Sequence, residues 1–135
     1  AVRLHMDRAA RMVGPLTFTD LDRGEIRVLP ESCGDIVLAR KDVPTSYHLS
    51  VTVDDAFQQI SCVTRGEDLL HATHIHRVLQ TLLGFPTPVY RHHRLLLDSQ
   101  GRRYAKRDKA ITLQALRKAG KTPEDILQMV GEDTH

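Results

Sequence analysis

The chain has 135 residues, 19 Lys and Arg against 17 Asp and Glu, 41% hydrophobic residues and 4% aromatic ones, a composition that fits one globular domain and excludes a disordered tail, a collagen and a coiled coil. No apolar run approaches the roughly 20 residues a bilayer-spanning helix needs, and no secretory leader pattern is present, so a soluble, cytoplasmic protein without a membrane partner is expected. The net charge of +2 is unevenly spread: residues 91–121 hold ten Lys and Arg and two Asp, a net +8, and the remainder sums to −6.

The first residues, Ala1-Val-Arg-Leu-His-Met6, read as a strand already under way, and the absence of an initiator Met suggests a piece of a longer chain. Thr17 to Pro30 predicts a hairpin turning at Asp22-Arg23-Gly24, and Ile36 to Arg40 another short strand. Tyr47-His-Leu-Ser-Val-Thr-Val53 alternates with period two, which predicts a strand with Tyr47, Leu49, Val51 and Val53 on one face, closed by Asp54 and Asp55. Ile60 to Val63 is a further apolar run leading into Thr64-Arg65-Gly66. A helix follows, with Thr73 as N-cap, an apolar stripe of Ile75, Val78, Leu79, Leu82 and Leu83, and Gly84 as its stop before Pro86 and Pro88. Val89 to Leu97 predicts a third strand, Asp98 to Gly101 a turn, and Arg102 to Asp108 a basic loop. Asp108 is placed to cap a helix reaching Ala119, and Thr122-Pro123-Glu124-Asp125 to start a second one that Gly131 ends.

Strands separated by helical segments favour an α/β sheet with its ligand crevice beyond the carboxyl ends of the strands, where Asp54, Asp55, Arg65 and the basic loop are expected. The +8 segment would attract phosphates or nucleic acid by steering and counterion release, although a solvated helix face has the same composition. Cys33 and Cys62 lack CxxC partners, which excludes a disulfide framework and a thiolate zinc site and leaves two small buried hydrophobes. Five of the eight histidines are His71, His74, His76, His92 and His93, but no cysteine is close in sequence and no HExxH spacing occurs, so no metal site is expected.

Four blocks in order carry a family resemblance: Tyr47-His-Leu-Ser-Val-Thr-Val-Asp54-Asp55, Ile60-Ser-Cys-Val-Thr-Arg65-Gly66-Glu-Asp-Leu-Leu70, Gly84-Phe-Pro-Thr-Pro-Val-Tyr90-Arg-His92 and Gly101-Arg-Arg103-Tyr-Ala-Lys106-Arg107. Together they resemble the second half of the catalytic region of glutamyl-type class I aminoacyl-tRNA synthetases. The likeness runs from about Gly34 to about Asp108. Within the family it is most similar to the glutamyl-queuosine tRNA(Asp) synthetases, because Val51 stands where full glutamyl-tRNA synthetases place Asn, and because only a short helical tail follows Lys106. The implied organisation is the C-terminal half of a Rossmann-type domain with parallel strands over residues 1–108, including the lysine loop, and a helical tail over 109–135.

The resemblance implies ATP-dependent activation of glutamate, with Mg2+ accompanying the nucleotide, and transfer to the queuosine base of tRNA(Asp) by a monomer. Tyr47 and Arg65 match glutamate-binding positions. An Arg fork suits a carboxylate and a Tyr hydroxyl can donate to the same anion, yet by residue type alone Tyr47 fits a half-buried aromatic and Arg65 an ion pair with Asp54, Asp55 or Glu67. Lys106 matches the second Lys of the Lys-Met-Ser-Lys-Ser loop and would stabilise phosphate charge, which makes it the expected catalytic residue. Arg103 keeps the charge of the first Lys, Tyr104 replaces the apolar residue, and Ala105 and Arg107 replace the serines. His92 fits a position on the nucleotide side, so Lys106, Arg103 and His92 form the expected ATP set. The family's zinc sites use Cys-rich segments upstream, and its HIGH-type motif is not among these 135 residues. Half an active site is therefore expected, in a piece inactive alone. A fragment of glutamyl-tRNA synthetase and a non-catalytic RNA-binding adaptor are the alternatives.

Overall fold

The computed structural model describes residues 1–98, 100–103 and 112–131; Lys106, Arg107 and the rest of 104–111 lie outside the described residues, and with them the expected lysine loop and the Asp108 cap. Contacts divide the chain into two units, Ala1–His93 and Arg94–His135.

In the first unit, strand β1 (Val2–Leu4) ends before helix α1 (Met6–Val13), so the opening strand is shorter than its sequence reading. Met6, Ala9, Ala10 and Val13 recur at helical spacing, and Met6 and Ala9 are buried. The hairpin forms as expected from β2 (Thr17–Asp20) and β3 (Gly24–Arg27), and β4 (Ile36–Ala39) pairs antiparallel with β1. Strands β5 (Cys62–Gly66) and β6 (Val89–His93) complete a four-stranded sheet of order β3-β2-β6-β5, in which β6 runs parallel to both β2 and β5. The fold is thus α/β with a mixed, mostly parallel sheet, and the carboxyl ends of its three parallel strands lie together.

The expected strand over Tyr47–Val53 is instead helix α2 (Tyr47–Phe57). Ser46 caps it, its Oγ accepting the Leu49 N–H at 3.3 Å. Its buried residue is Thr52, one turn after His48, so the inward face is polar and the apolar alternation misreads it. Asp54 and Asp55 consequently lie in this helix rather than at a strand end. Helix α3 (Ala72–Leu83) begins before Thr73, which is fully buried inside it rather than capping it. Gly84 stops α3 with φ 69, and its N–H bonds the Gln80 carbonyl. Strand β6 ends four residues before Leu97, which makes only an isolated bridge to Arg103. Cys62 is exposed and Cys33 partly buried, against the expectation of two buried hydrophobes.

The core joins Met6, Ala9, Phe18, Val28, Ile36, Ile75, Val78, Leu79 and Tyr90. Leu79 is 3% exposed, and Leu79→Ala is expected to lower the unfolding free energy by about 2–5 kcal/mol, read from urea denaturation by circular dichroism.

In the second unit, Asp98 organises the expected turn, its Oδ1 accepting the Gln100 and Arg102 N–H groups. Helix α4 (Leu113–Lys118) is capped by Thr112. Helix α5 (Pro123–Gly131) begins with the expected reciprocal cap: Asp125 N–H donates to Thr122 Oγ1 at 3.2 Å, and Thr122 N–H donates to Asp125 Oδ2 at 2.8 Å. No helix among the described residues is long and apolar enough to cross a membrane.

Candidate active site

The carboxyl ends of β2, β5 and β6 bring together Asp20, Arg65 and His92, the first turn of α2 adds Tyr47 and His48, and the first two turns of α3 add Thr73 and His76. Arg65 is the centre. Its Nε donates to His92 Nε2 at 3.1 Å, its Nη1 donates to Tyr47 Oη at 3.4 Å and His76 Nδ1 at 3.1 Å, and its Nη2 donates to Thr73 Oγ1 at 2.7 Å. The guanidinium carbon also lies 5.3 Å from the centroid of the Tyr90 ring. None of these partners carries a carboxylate, and no carboxylate pairs directly with Arg65 among the described residues. The ion pairs considered from sequence, with Asp54, Asp55 or Glu67, are therefore not formed; Glu67 pairs instead with Arg23 Nη2 at 3.1 Å.

Because a guanidinium only donates, each histidine facing it must offer a lone pair. His92 therefore carries its proton on Nδ1, which lies 2.7 Å from Asp20 Oδ2. His76 accepts on Nδ1, carries its proton on Nε2 and donates to His48 Nδ1 at 3.0 Å. Burial, reinforced by Arg65 and then by His48 and His92, depresses the His76 pKa to about 3. Burial likewise lowers His92 against the opposing hydrogen bond to Asp20, and lowers His48 with help from Arg65. All three rings are neutral near pH 7.

Asp20 is fully buried. Burial opposes its ionisation, yet hydrogen bonds from the His92 ring and from the backbone N–H groups of Asp22, His92 and Arg23 hold its carboxyl below the usual carboxylate range. Arg23 closes the back of the site, its Nη1 donating to the His92 carbonyl at 2.7 Å.

A cleft of about 490 Å³ adjoins this cluster, lined by β4 and by the entry to α2, including Arg40, Ser46, Tyr47 and His48. Its size is that of a small-molecule site. Tyr47 is half exposed on the cleft wall. A phenol that accepts from Arg65 keeps its own O–H to donate, so the pair presents a cation and a hydroxyl to an anion.

The structure thus brings Tyr47 and Arg65 together, with Tyr47 supplied by a helix. His92 is buried behind Arg65, with Nδ1 facing Asp20 and Nε2 facing Arg65 and the Thr73 hydroxyl. Arg103 lies in the second unit. Sequence reasoning missed Asp20, His48, Thr73 as a site residue, and His76. A readable signal existed for two of these: Thr73, His76 and Gln80 form a polar stripe at helical spacing beside the apolar one, and all three are buried. No group of three or more His, Cys, Asp or Glu side chains suited to a metal ion occurs among the described residues.

Comparison with known proteins matches residues 1–132 to the family described as tRNA synthetases class I (E and Q), catalytic domain. A Glutamyl-Q tRNA(Asp) synthetase from Rhodobacter capsulatus is 50% identical, the alignment covering 97% of this chain and 49% of that protein. Glutamate–tRNA ligase 2 from Syntrophus aciditrophicus is 37% identical over 84% of this chain and 24% of its own length. The crystal structure of a glutamate tRNA ligase from Elizabethkingia meningosepticum in complex with its amino acid has a TM-score of 0.60 at 30% identity, covering 71% of this chain and 19% of that one. The chain spans about half the length of the Rhodobacter relative.

Proposed function

The chain belongs to the catalytic-domain family of the class I tRNA synthetases for glutamate and glutamine, and from that membership we propose that its full-length protein activates glutamate with ATP and transfers it to the queuosine base of tRNA(Asp), acting as a monomer in the cytoplasm. The observation that carries this reading is the Arg65 guanidinium, held by neutral acceptors beside Tyr47, whose side chain lines the cleft. A substrate carboxylate supplies the direct ion-pair partner that Arg65 has within the described residues only at a distance, in Asp55, and the remaining Nη2 N–H and the phenol orient it.

In the first step the α-carboxylate of glutamate attacks the α-phosphorus of ATP, the α–β phosphoanhydride breaks and pyrophosphate leaves; Mg2+ accompanying the nucleotide would offset part of the phosphate charge. Lys106, with Arg103, stabilises the charge gathering on the phosphates. In the second step the queuosine base attacks the activated acyl carbon and AMP leaves. Residues 1–108 supply the catalytic half and 109–135 the helical tail. The basic segment 91–121 receives the tRNA backbone, although Arg91 is paired with Asp22 and Arg102 with Asp98. The higher identity to the Rhodobacter relative supports the queuosine reading over glutamylation of tRNA(Glu).

The test uses the full-length protein. Glutamate-dependent pyrophosphate exchange without tRNA is expected, followed by glutamate transfer to queuosine-containing tRNA(Asp) and none to tRNA(Asp) lacking queuosine. Lys106→Ala is expected to slow exchange by roughly 10²–10³-fold with glutamate affinity nearly intact. Charging of tRNA(Glu) would replace this reading with a glutamate–tRNA ligase, and tRNA binding without exchange would replace it with an adaptor.

A further inference from the structure

We infer that Asp20 is a positioning residue: by fixing the proton of His92 on Nδ1 it leaves Nε2 as the acceptor that anchors Arg65 Nε and so holds the guanidinium against Tyr47, which lines the cleft. The chemistry follows from donor and acceptor counting. His92 Nε2 faces Arg65 Nε at 3.1 Å and Thr73 Oγ1 at 3.2 Å; its lone pair is the only feature of that atom a guanidinium can use, and the hydroxyl can donate to the same lone pair. The opposite tautomer would set two N–H groups against each other at that distance and leave Asp20 Oδ2 without its ring donor. Asp20 is built to prevent this. Its Oδ2 lies 2.7 Å from His92 Nδ1 and 3.2 Å from the His92 backbone nitrogen, and its Oδ1 accepts the N–H groups of Asp22 and Arg23. Ring rotation is restrained as well, because His92 stacks on Tyr90 with an interplanar angle of 11°.

His92 and Asp20 are both buried, so neither reaches a ligand directly; Arg65 is the part of the relay that extends to Tyr47. Three of the other four donors of Arg65 meet Tyr47, His76 and Thr73, groups on two helices, and one N–H on Nη2 is left for a ligand. Besides the Tyr90 ring beneath it, the Nε bond is the contact that links the guanidinium through β6 to β2. Its substrate consequence rests on the glutamate reading above, whereas the anchoring itself does not.

Asp20→Asn separates the two. An asparagine of the same size keeps an oxygen for the Asp22 and Arg23 N–H groups, but its amide takes the place of Oδ2, gives up the His92 backbone N–H, donates to His92 Nδ1 and moves the ring proton to Nε2. In the full-length protein with labelled histidine and arginine, nitrogen NMR is expected to show His92 unprotonated at Nε2 and a slowly exchanging Arg65 Nε–H. Asp20→Asn is expected to reverse the His92 pattern and abolish the Arg65 protection. It should also raise KM for glutamate roughly 10- to 100-fold, as for loss of a hydrogen bond to a charged group, with KM for ATP little changed. His92 protonated at Nε2 in the unaltered protein would overturn the inference without recourse to any variant. So would Arg65 Nε–H protection that persists in Asp20→Asn. If the NMR changes occur but neither Asp20→Asn nor Arg65→Lys alters KM for glutamate, the anchoring stands and the glutamate reading fails.

Discussion

Arg65→Lys in the full-length protein is expected to cost on the order of 2–5 kcal/mol in glutamate use, since the substrate carboxylate would face a site whose paired charge is displaced and no longer anchored. In kcat/KM for glutamate this is a fall of roughly 30-fold to several thousand-fold. Lysine retains the positive charge, so a purely Coulombic role would tolerate it. It cannot, however, donate simultaneously to His92, Tyr47, His76 and Thr73, which a planar fork does here. KM for ATP should be little affected, and steady-state pyrophosphate exchange with each substrate varied in turn measures both. Equal losses for glutamate and ATP would move Arg65 out of the carboxylate site.

Acid should weaken the fold through His76. The unfolded ring titrates near 6.5, whereas burial beside Arg65 depresses its folded pKa to about 3. Between these two values the unfolded chain binds a proton that the folded chain refuses. The contribution of neutral His76 is therefore complete above pH 6.5 and is lost as pH falls toward 3, at up to about 1.4 kcal/mol per pH unit and on the order of 4–5 kcal/mol in all. His92 and His48, also depressed, act in the same direction, and Asp20 adds its own loss as pH falls through its lowered folded pKa. Urea unfolding at pH 7, 6 and 5 should show a falling midpoint. His76→Gln, which keeps an acceptor but no titrating ring, should flatten that slope, and an unchanged slope would assign the acid sensitivity elsewhere.

The parts of this arrangement that were legible in sequence are those whose signal is local. The turn at Asp22-Arg23-Gly24, the Gly84 stop and the Thr122 to Asp125 cap each depend on residues within a few positions of one another, and all three form. The 47–53 segment misled because its inward face is made for the site rather than for the core. His48 faces His76 and Thr52 is buried, so the buried positions are polar and the alternating apolar residues dominate the pattern. Tyr47 and Arg65 were identified through family-like blocks, and their proximity is now seen to arise from helix α2 meeting strand β5. Asp20 could not be singled out. An aspartate before a turn reads as turn chemistry, which it also performs through Oδ1, and its second role depends on a histidine 72 positions away.

That separation favours an order of assembly. The β2–β3 hairpin and the β5-α3-β6 segment are each contiguous in sequence, so each can form from nearby residues. Their junction is a parallel pairing of β2 with β6, registered at Asp20 and Tyr90, and it requires closing a long stretch of chain. A half-assembled chain can already hold Arg65 and His92 on neighbouring strands, but the His92 proton is not yet committed to either nitrogen. Docking of the hairpin delivers the buried carboxylate and settles it. Ligand recognition and the final long-range closure are thereby made to coincide, so an incompletely folded chain presents a cation without a direction.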